Sequence, residues 1–362
     1  MKFDFCIGNP PYQEDEKNDS NNRKNPVYHY FYEAAGKIAD HYLLISPARF
    51  LYNAGLTPKE WNKKMLNDEH IKVEHFEADS KKIFPKNDIK GGIAIVYRSS
   101  HDTFEPIREF IPDDNLRNIA SHFKKDEVHN LPAIMYGGRS DLKFNDVYLK
   151  DYPDTPDVRL KAIQAKSRKV QSLGINEEYE LKSSTLEVLD GYGIEKEVEH
   201  ENSYYKILGL VKNNRVFRYI DKKYMTARYP THNNIDKYKV FVPKANGSGA
   251  IGEVLSTPLI GTPFMSATPT FISIGCFDTE IEAQNLLKYI KTKLVRTLLG
   301  ILKKTQHTPP SMWAYIPIQD FTNESDINWA LSISEIDQML YKKYGLLQED
   351  INFIETHVTA MS

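Results

Sequence analysis

Two consecutive prolines, Pro10 and Pro11, close the short apolar run at the start of FDFCIGNPPYQ, Phe3 to Gln13. Each proline fixes its φ at about −65° and lacks a backbone N–H. The residue before a proline is driven out of the helical region. A strand KFDFCIG ending at Gly8 must therefore turn a stiff corner at Asn9. The carbonyl of Pro10 finds no amide on Pro11, and Asn9 and Tyr12 project from the strand end. Ligands of open α/β sheets bind at such strand ends. The next stretch, Gln13 to Asn25, is polar and rich in turn formers, which predicts a mobile loop.

The hundred residues around that corner read as α/β. PVYHYFYEAAGKIAD places Pro26 at a helix N-terminus and spaces Tyr28, Phe31, Ala35 and Ile38 helically. HYLLISP is a continuous apolar strand that must stop at Pro47. TPKEWNKKMLND predicts a helix with Thr57 as N-cap, Pro58 at its first position and Glu60 three residues after the cap. IKVEHFE and GGIAIVYR are two further strands, so a sheet covered by helices is expected. From about Thr103 the pattern becomes mixed α+β. LPAIMYGG and KVFVPKANGSGAIGEVL read as β structure. Asp278 to Gln306 reads as one long amphipathic helix with the stripe Ile281, Leu286, Leu287, Ile290, Leu294, Leu298 and Leu302. A final helical pair breaks at Gly345. The expected organisation is 1–106, 107–320 and 321–362.

Charge narrows the partners. The chain has 47 Lys and Arg against 49 Asp and Glu, so any nucleic-acid surface must be a local patch. One candidate is Arg159, Lys161, Lys166, Arg168 and Lys169. A second runs along the long helix through Lys288, Lys291, Lys293, Arg296, Lys303 and Lys304. KKTQHTPPSMW adds Gln306 and His307 in a Pro-bounded loop that could face a groove. For both patches a solvated helix face remains the competing reading. Cys6 and Cys276 form no disulfide framework, and neither they nor His232 and His307 show metal-ligand spacing, so no metal is assigned. With no signal peptide or membrane-length apolar run, a reducing, cytoplasmic setting fits, without a membrane partner.

The corner suits one kind of chemistry. The exocyclic amine of adenine is a poor nucleophile because its lone pair is delocalised into the ring. It carries two N–H donors. The side-chain oxygen of Asn9 and the carbonyl of Pro10 can accept both, pull the nitrogen towards tetrahedral geometry and free the lone pair for attack on a methyl sulfonium. Such catalysis is orientation plus stabilisation of developing charge. Tyr12 can stack on a base that has left the duplex. A plain Pro-Pro turn is the alternative, but residue frequencies give NPPY in only about one such chain in several hundred to a thousand.

FDFCIGNPPYQ resembles the catalytic motif of the adenine-N6 DNA methyltransferases of restriction–modification systems. YLLISPARFL and KKIFPKNDIKGGIAIVYRSS resemble later sheet motifs of the large type II enzymes, and VPKANGSGAIGEVL, LLKYIKTKLVRTLLGILKKTQ and EIDQMLYKKYGLLQEDINFIE resemble their target-recognition tail. The resemblance implies a gamma-type order, with part of a Rossmann-like methyltransferase sheet followed by a mixed α+β target-recognition domain. It implies double-stranded DNA as partner and S-adenosylmethionine as methyl donor. Asn9, Pro10, Pro11 and Tyr12 would form the amino-group loop. Phe84 would be a second aromatic against the flipped base, with a core phenylalanine at a strand entry as the other reading. The family's glycine-rich donor motif normally precedes this loop. NGSGAIGE and YGGRSD are weak substitutes for it, so a truncated chain, a split subunit completed by a separate donor-binding polypeptide, or a degenerate product is expected. An associated nuclease polypeptide is also open. Two rivals are a non-catalytic DNA-recognition subunit and a methylase of protein glutamine or an RNA base. A nuclease site in PDTPDVRLKAIQAK is disfavoured by Gln164 at the second carboxylate position.

Overall fold

The computed structural model describes residues 2–14, 25–166, 170–247, 251–303 and 307–361. It forms two compact units, Met1–Asp113 and Asp114–Ser362. The first boundary thus falls a few residues later than the sequence reading, and the expected C-terminal segment is part of the second unit.

Unit 1 is built in the order β1 (Phe3–Gly8), α1 (Tyr28–Ile38), β2 (Ala39–Pro47), α2 (Lys59–Asn67), β3 (Ile71–Glu77) and β4 (Ile93–Ser99). Its sheet has the order β1-β2-β4-β3. β1 pairs parallel with β2, Gly8 opposite Leu44, and β4 runs antiparallel to both β2 and β3. The C-terminal ends of β1, β2 and β3 therefore meet the start of β4 along one margin of the sheet.

One face of this sheet is buried. Tyr42 and Leu44 of β2 and Ala94 and Val96 of β4 pack with Tyr28, Tyr32 and Ala35 of α1 and Trp61, Met65 and Leu66 of α2. The rings interlock, Phe50 to Trp61 at 5.1 Å and Tyr32 to Tyr42 at 5.6 Å. The inner face of α1 differs from the expected one: Phe31 and Ile38 point outward, at 43% and 46% exposure. Tyr32 takes the inner position because its ring fills the gap over β2 and its hydroxyl reaches Ser46 Oγ at 2.9 Å. The N-cap of α2 is Pro58; Thr57 is buried and its hydroxyl donates to Asn62 Oδ1 at 2.7 Å.

The opposite face has no helix on it among the described residues of unit 1. Phe5 stacks on His41 at 4.7 Å, and His41 on Tyr97 at 6.0 Å, a row of rings across three strands. At the edge strand, Cys6 packs into the core while Phe3, Phe5 and Ile7 stand 60%, 60% and 75% exposed.

Unit 2 is mixed α+β. It begins with α3 (Asp114–Ser121), β5 (Met135–Tyr136), β6 (Leu142–Phe144), α4 (Asp146–Asp151), α5 (Thr155–Lys166) and α6 (Thr185–Val188). Strands β7 (Tyr204–Val211), β8 (Asn214–Asp221), β9 (Met225–Ala227), β10 (Tyr238–Pro243), β11 (Leu259–Gly261), β12 (Met265–Ala267) and β13 (Phe271–Phe277) follow. They make three small sheets, β11-β10-β13-β5, β12-β7-β8 and β6-β9. Four helices close the unit: α7 (Glu280–Lys291), α8 (Lys293–Leu302), α9 (Ile333–Lys343) and α10 (Gln348–His357).

The expected single long helix is two. α7 starts at a capping box between Thr279 and Glu282, and Thr292 ends it in extended backbone at ψ 151°. The Thr292 side chain then accepts from Val295 N, and the buried Asp337 of α9 accepts from Lys293 N at 2.9 Å and Leu294 N at 3.0 Å. Those amides would otherwise be unpaired at a buried helix start. Gly345, at φ +64°, separates α9 from α10 as the sequence predicts.

Candidate functional site

The stiff corner lies at the sheet margin where three strands end. Asn9 is exposed, and its side chain makes no hydrogen bond to another described residue. Pro10 is buried and Pro11 exposed. The chain beyond is fixed from the other side: Val27 N donates to Tyr12 O at 3.2 Å, Gln13 bridges Pro26, and Glu14 N donates to Asn25 O at 2.9 Å. The start of α1 thus anchors the corner.

Tyr12 is half-buried, and its hydroxyl is buried without a hydrogen-bond partner among the described residues. Burial pushes its phenol up to about 12, so the ring stays neutral and offers a flat apolar surface rather than a base. Phe84, also half-buried, meets it edge to face, with centroids 6.3 Å apart and planes at 69°. Residues far apart in sequence therefore form an aromatic pair beside Asn9.

The Phe84 turn is held by groups the sequence reading did not select. Phe84 N donates to Ser80 O at 2.7 Å, while Ser80 Oγ donates to Asn87 O at 3.0 Å and accepts from Ile89 N at 2.8 Å. Arg49, just past β2, donates from Nε to Lys90 O at 2.5 Å, and Ala48 N donates to Gly92 O at 2.9 Å. Gly92 sits at φ +79°, where a Cβ would lie 2.6 Å from Glu77 O. Only glycine fits there. The available signal was an arginine after SPA and a Gly-Gly before the next strand, which reads as a clamp only once both are seen at one margin.

S-adenosylmethionine does not fit the described residues. A nucleoside donor needs a glycine-rich turn leading into a helix and an acidic group for its ribose. The paired glycines of unit 1, Gly91 and Gly92, lead into strand β4. NGSGAIGE lies in unit 2, where the Asn246 side chain is already engaged: its Nδ2 donates to Val254 O at 3.1 Å, and Ser256 N donates to its Oδ1 at 2.5 Å. Its residues 248–250 lie outside the described residues. YGGRSD is pinned through Ser140 Oγ, which donates to Ala267 O at 2.8 Å.

The basic candidates scatter. Arg168, Lys169, Lys304 and Gln306 lie outside the described residues. Lys161 and Lys166 are exposed on α5, and His307 is exposed after α8. Arg159 is only 6% exposed and Lys303 only 2%, the latter paired with Glu253. Neither stands on the solvent face that a basic patch requires. Much of the second patch is consumed inside the unit: Lys288 Nζ donates to Trp329 O at 2.7 Å, Lys293 meets Glu355 at 2.6 Å, and Arg296 is buried. α8 is enclosed on nearly every side, so its cations serve packing rather than a surface.

Comparison with known proteins meets the chain at this corner. Residues 1–84 match the family described as Eco57I restriction-modification methylase. A relative from Mycoplasma pneumoniae (strain ATCC 29342 / M129 / Subtype 1), named "Uncharacterized adenine-specific methylase", is 37% identical over 95 residues, 26% of this chain and 22% of the relative. Solved restriction–modification enzymes align across 98% of the chain at 11% identity. They are the type IIG endonuclease BpuSI (TM-score 0.35, 53% of that chain), the type IIL enzyme MmeI in complex with DNA (0.39, 56%) and a nuclease-deletion mutant of the type ISP enzyme LlaGI with a DNA substrate mimic (0.36, 35%). These scores are too low to carry an argument. The chain spans about half or less of the solved enzymes and matches about a fifth of the named relative. The N-terminal quarter is thus similar to restriction–modification methylases, and the site described above lies within it.

Proposed function

We propose that Asn9 to Tyr12 form the amino-group site of an adenine-N6 DNA methyltransferase acting in a restriction–modification system. The observation that carries this is an unengaged Asn9 beside the Tyr12–Phe84 pair at a strand-end margin, inside the stretch that matches methylases. In this reading the extruded adenine lies against Tyr12, with Phe84 bracing that ring. Asn9 Oδ1 and the Pro10 carbonyl accept the two amino hydrogens. The fixed prolines keep those acceptors in place without reorganisation, which is where preorganised electrostatics gains its effect. The amine then presents its lone pair to a methyl group. The surrounding unit 1 sheet would be one part of a Rossmann-like methyltransferase sheet, and unit 2 would recognise double-stranded DNA, with Lys161, Lys166 and His307 as its exposed polar candidates.

S-adenosylmethionine is the usual donor of such methylases. We infer that polypeptide beyond the described residues holds it, adding a strand to the open edge of β1 and covering Phe3, Phe5 and Ile7. A second reading, in which this chain recognises DNA without methylating it, accords with the lack of a donor cradle among the described residues.

The amino-group site can be tested without a donor. 9-Ethyladenine titrated into the chain should shift the side-chain amide resonances of Asn9 and the ring resonances of Tyr12. Its N6,N6-dimethyl analogue has no amino hydrogens and should leave the Asn9 amide unmoved. Equal responses to both ligands, or none to either, would overturn the assignment.

A further inference from the structure

We propose that unit 1 holds a site for a free α-amino acid with an apolar side chain, in a cavity between the second halves of α1 and α2. The cavity has a volume of about 350 Å³, within the range of small-molecule sites. Its floor is Tyr42 of β2 and Arg98 of β4, opposite each other in register on the buried face of the sheet. Gly36 of α1 leaves the space above the tyrosine open: a Cβ there would meet only the Tyr42 ring, at 3.8 Å. Tyr32, Trp61 and Met65, all buried, give the cavity an apolar lining. Tyr42 lies in the first half of β2, whereas the amino-group corner follows the C-terminal end of the parallel strand β1, so the two sites are separate.

The polar groups at the floor are unspent. Tyr42 is 2% exposed, and its hydroxyl bonds to no described residue yet is not sealed from solvent. Burial holds that phenol above its ordinary pKa, and the charges acting on it are Arg98 and Asp68, which line the same cavity. The hydroxyl therefore faces the cavity. Arg98 is half-buried, and its guanidinium makes no hydrogen bond or ion pair with another described residue. Asp68 spends one oxygen on His70 N at 2.9 Å, and its other oxygen bonds to no described residue. Glu33, Lys37 and Lys64 stand at the exposed rim, and none of the five charges pairs with another. Both signs thus surround one cavity without bridging. A simple anion would be repelled by Asp68 and Glu33, and a simple cation by Arg98 and the two lysines. A zwitterion satisfies both sets. The carboxylate of an α-amino acid suits the Arg98 fork and the Tyr42 hydroxyl, its ammonium suits Asp68, and its side chain suits the apolar lining.

L-Phenylalanine titrated into the full chain should bind, as read by calorimetry. Phenethylamine and 3-phenylpropionate, which each lack one of its charges, should bind about tenfold more weakly or worse. Arg98→Met should bring the affinity for L-phenylalanine down to that for phenethylamine. Asp68→Asn should bring it down to that for 3-phenylpropionate, while its amide oxygen still accepts from His70 N. Tyr42→Phe, which keeps the ring, should weaken binding about 2- to 10-fold. In the unaltered protein, the indole N–H resonance of Trp61 should move with L-phenylalanine and stay in place with N-acetyl-phenylalaninamide, a measurement that stands if a variant fails to fold. A ligand with one charge binding as tightly as L-phenylalanine would overturn the proposal, and so would an absence of binding with an unmoved Trp61 resonance.

Discussion

The corner of unit 1 and the buried cations of unit 2 treat polar atoms in opposite ways. Lys239 is 1% exposed, and its ammonium donates to the carbonyls of Asn234, Ile235 and Met265. Arg296, 2% exposed, donates to Lys291 O, Thr292 O, Gly252 O and Thr359 O. Both cations are fully engaged and tie segments together. At the corner, neither the Asn9 side chain nor the Tyr12 hydroxyl bonds to another described residue. Engaged polar groups define a structure, whereas unengaged ones on rigid backbone mark where something else binds.

The largest effect should fall at the corner. Asn9→Ala should lower methyl transfer, measured with the proposed donor-binding polypeptide supplied, by about 100- to 1,000-fold. The thermal midpoint should not move, because the side chain holds nothing in place. Lys239→Met should do the reverse: about 3 kcal/mol lost in denaturant unfolding, from three carbonyls left without a donor. Should Lys239→Met leave stability intact, the contrast between the two regions fails.

Asp337 sharpens the comparison through pH. Burial pushes its carboxyl up to about 6 from 3.8, against the pull of two amides it accepts from. The folded state therefore binds a proton more readily than the unfolded chain between those values. The stabilisation this brings is complete below about pH 4 and is lost as pH rises through 6, by about 3 kcal/mol. Asp337→Asn should flatten the unfolding free energy over that window while keeping an acceptor for α8.

The smallest effects belong to Tyr12. Tyr12→Ala should cost about 1–2 kcal/mol of binding to an extruded base, read as roughly tenfold weaker retention of DNA bearing an unpaired adenine. Tyr12→Phe keeps the ring and removes a buried hydroxyl without a partner, so its stability should stay within about 0.5 kcal/mol of the wild type.

Unit 1 was the more legible half. In its sheet, β1 and β2 read directly because each is a short run stopped at Gly8 or Pro47, and Gly91 and Gly92 mark the entry to β4. The amino-group corner was legible because two prolines leave the backbone few options. The nearness of Phe84 to Tyr12 had no local signal and rested on resemblance. The break at Thr292 was illegible for a physical reason: the stripe through Ile290, Leu294 and Leu298 runs straight across it, and the acid that caps the second helix comes from Asp337, far along the chain. The basic runs misled because charge spacing does not say which side chains turn inward. Arg296 and Lys303 find carbonyl and carboxylate partners brought from remote segments.

The bare flank of β1 has a practical consequence. Three oily side chains and an edge that pairs with no strand among the described residues make an adhesive ribbon in water. Concentrating the purified polypeptide invites copies to zip together there, and light scattering against concentration would register this before any assay with nucleic acid. A short β-forming peptide that suppresses the scattering would identify this edge as the point of contact.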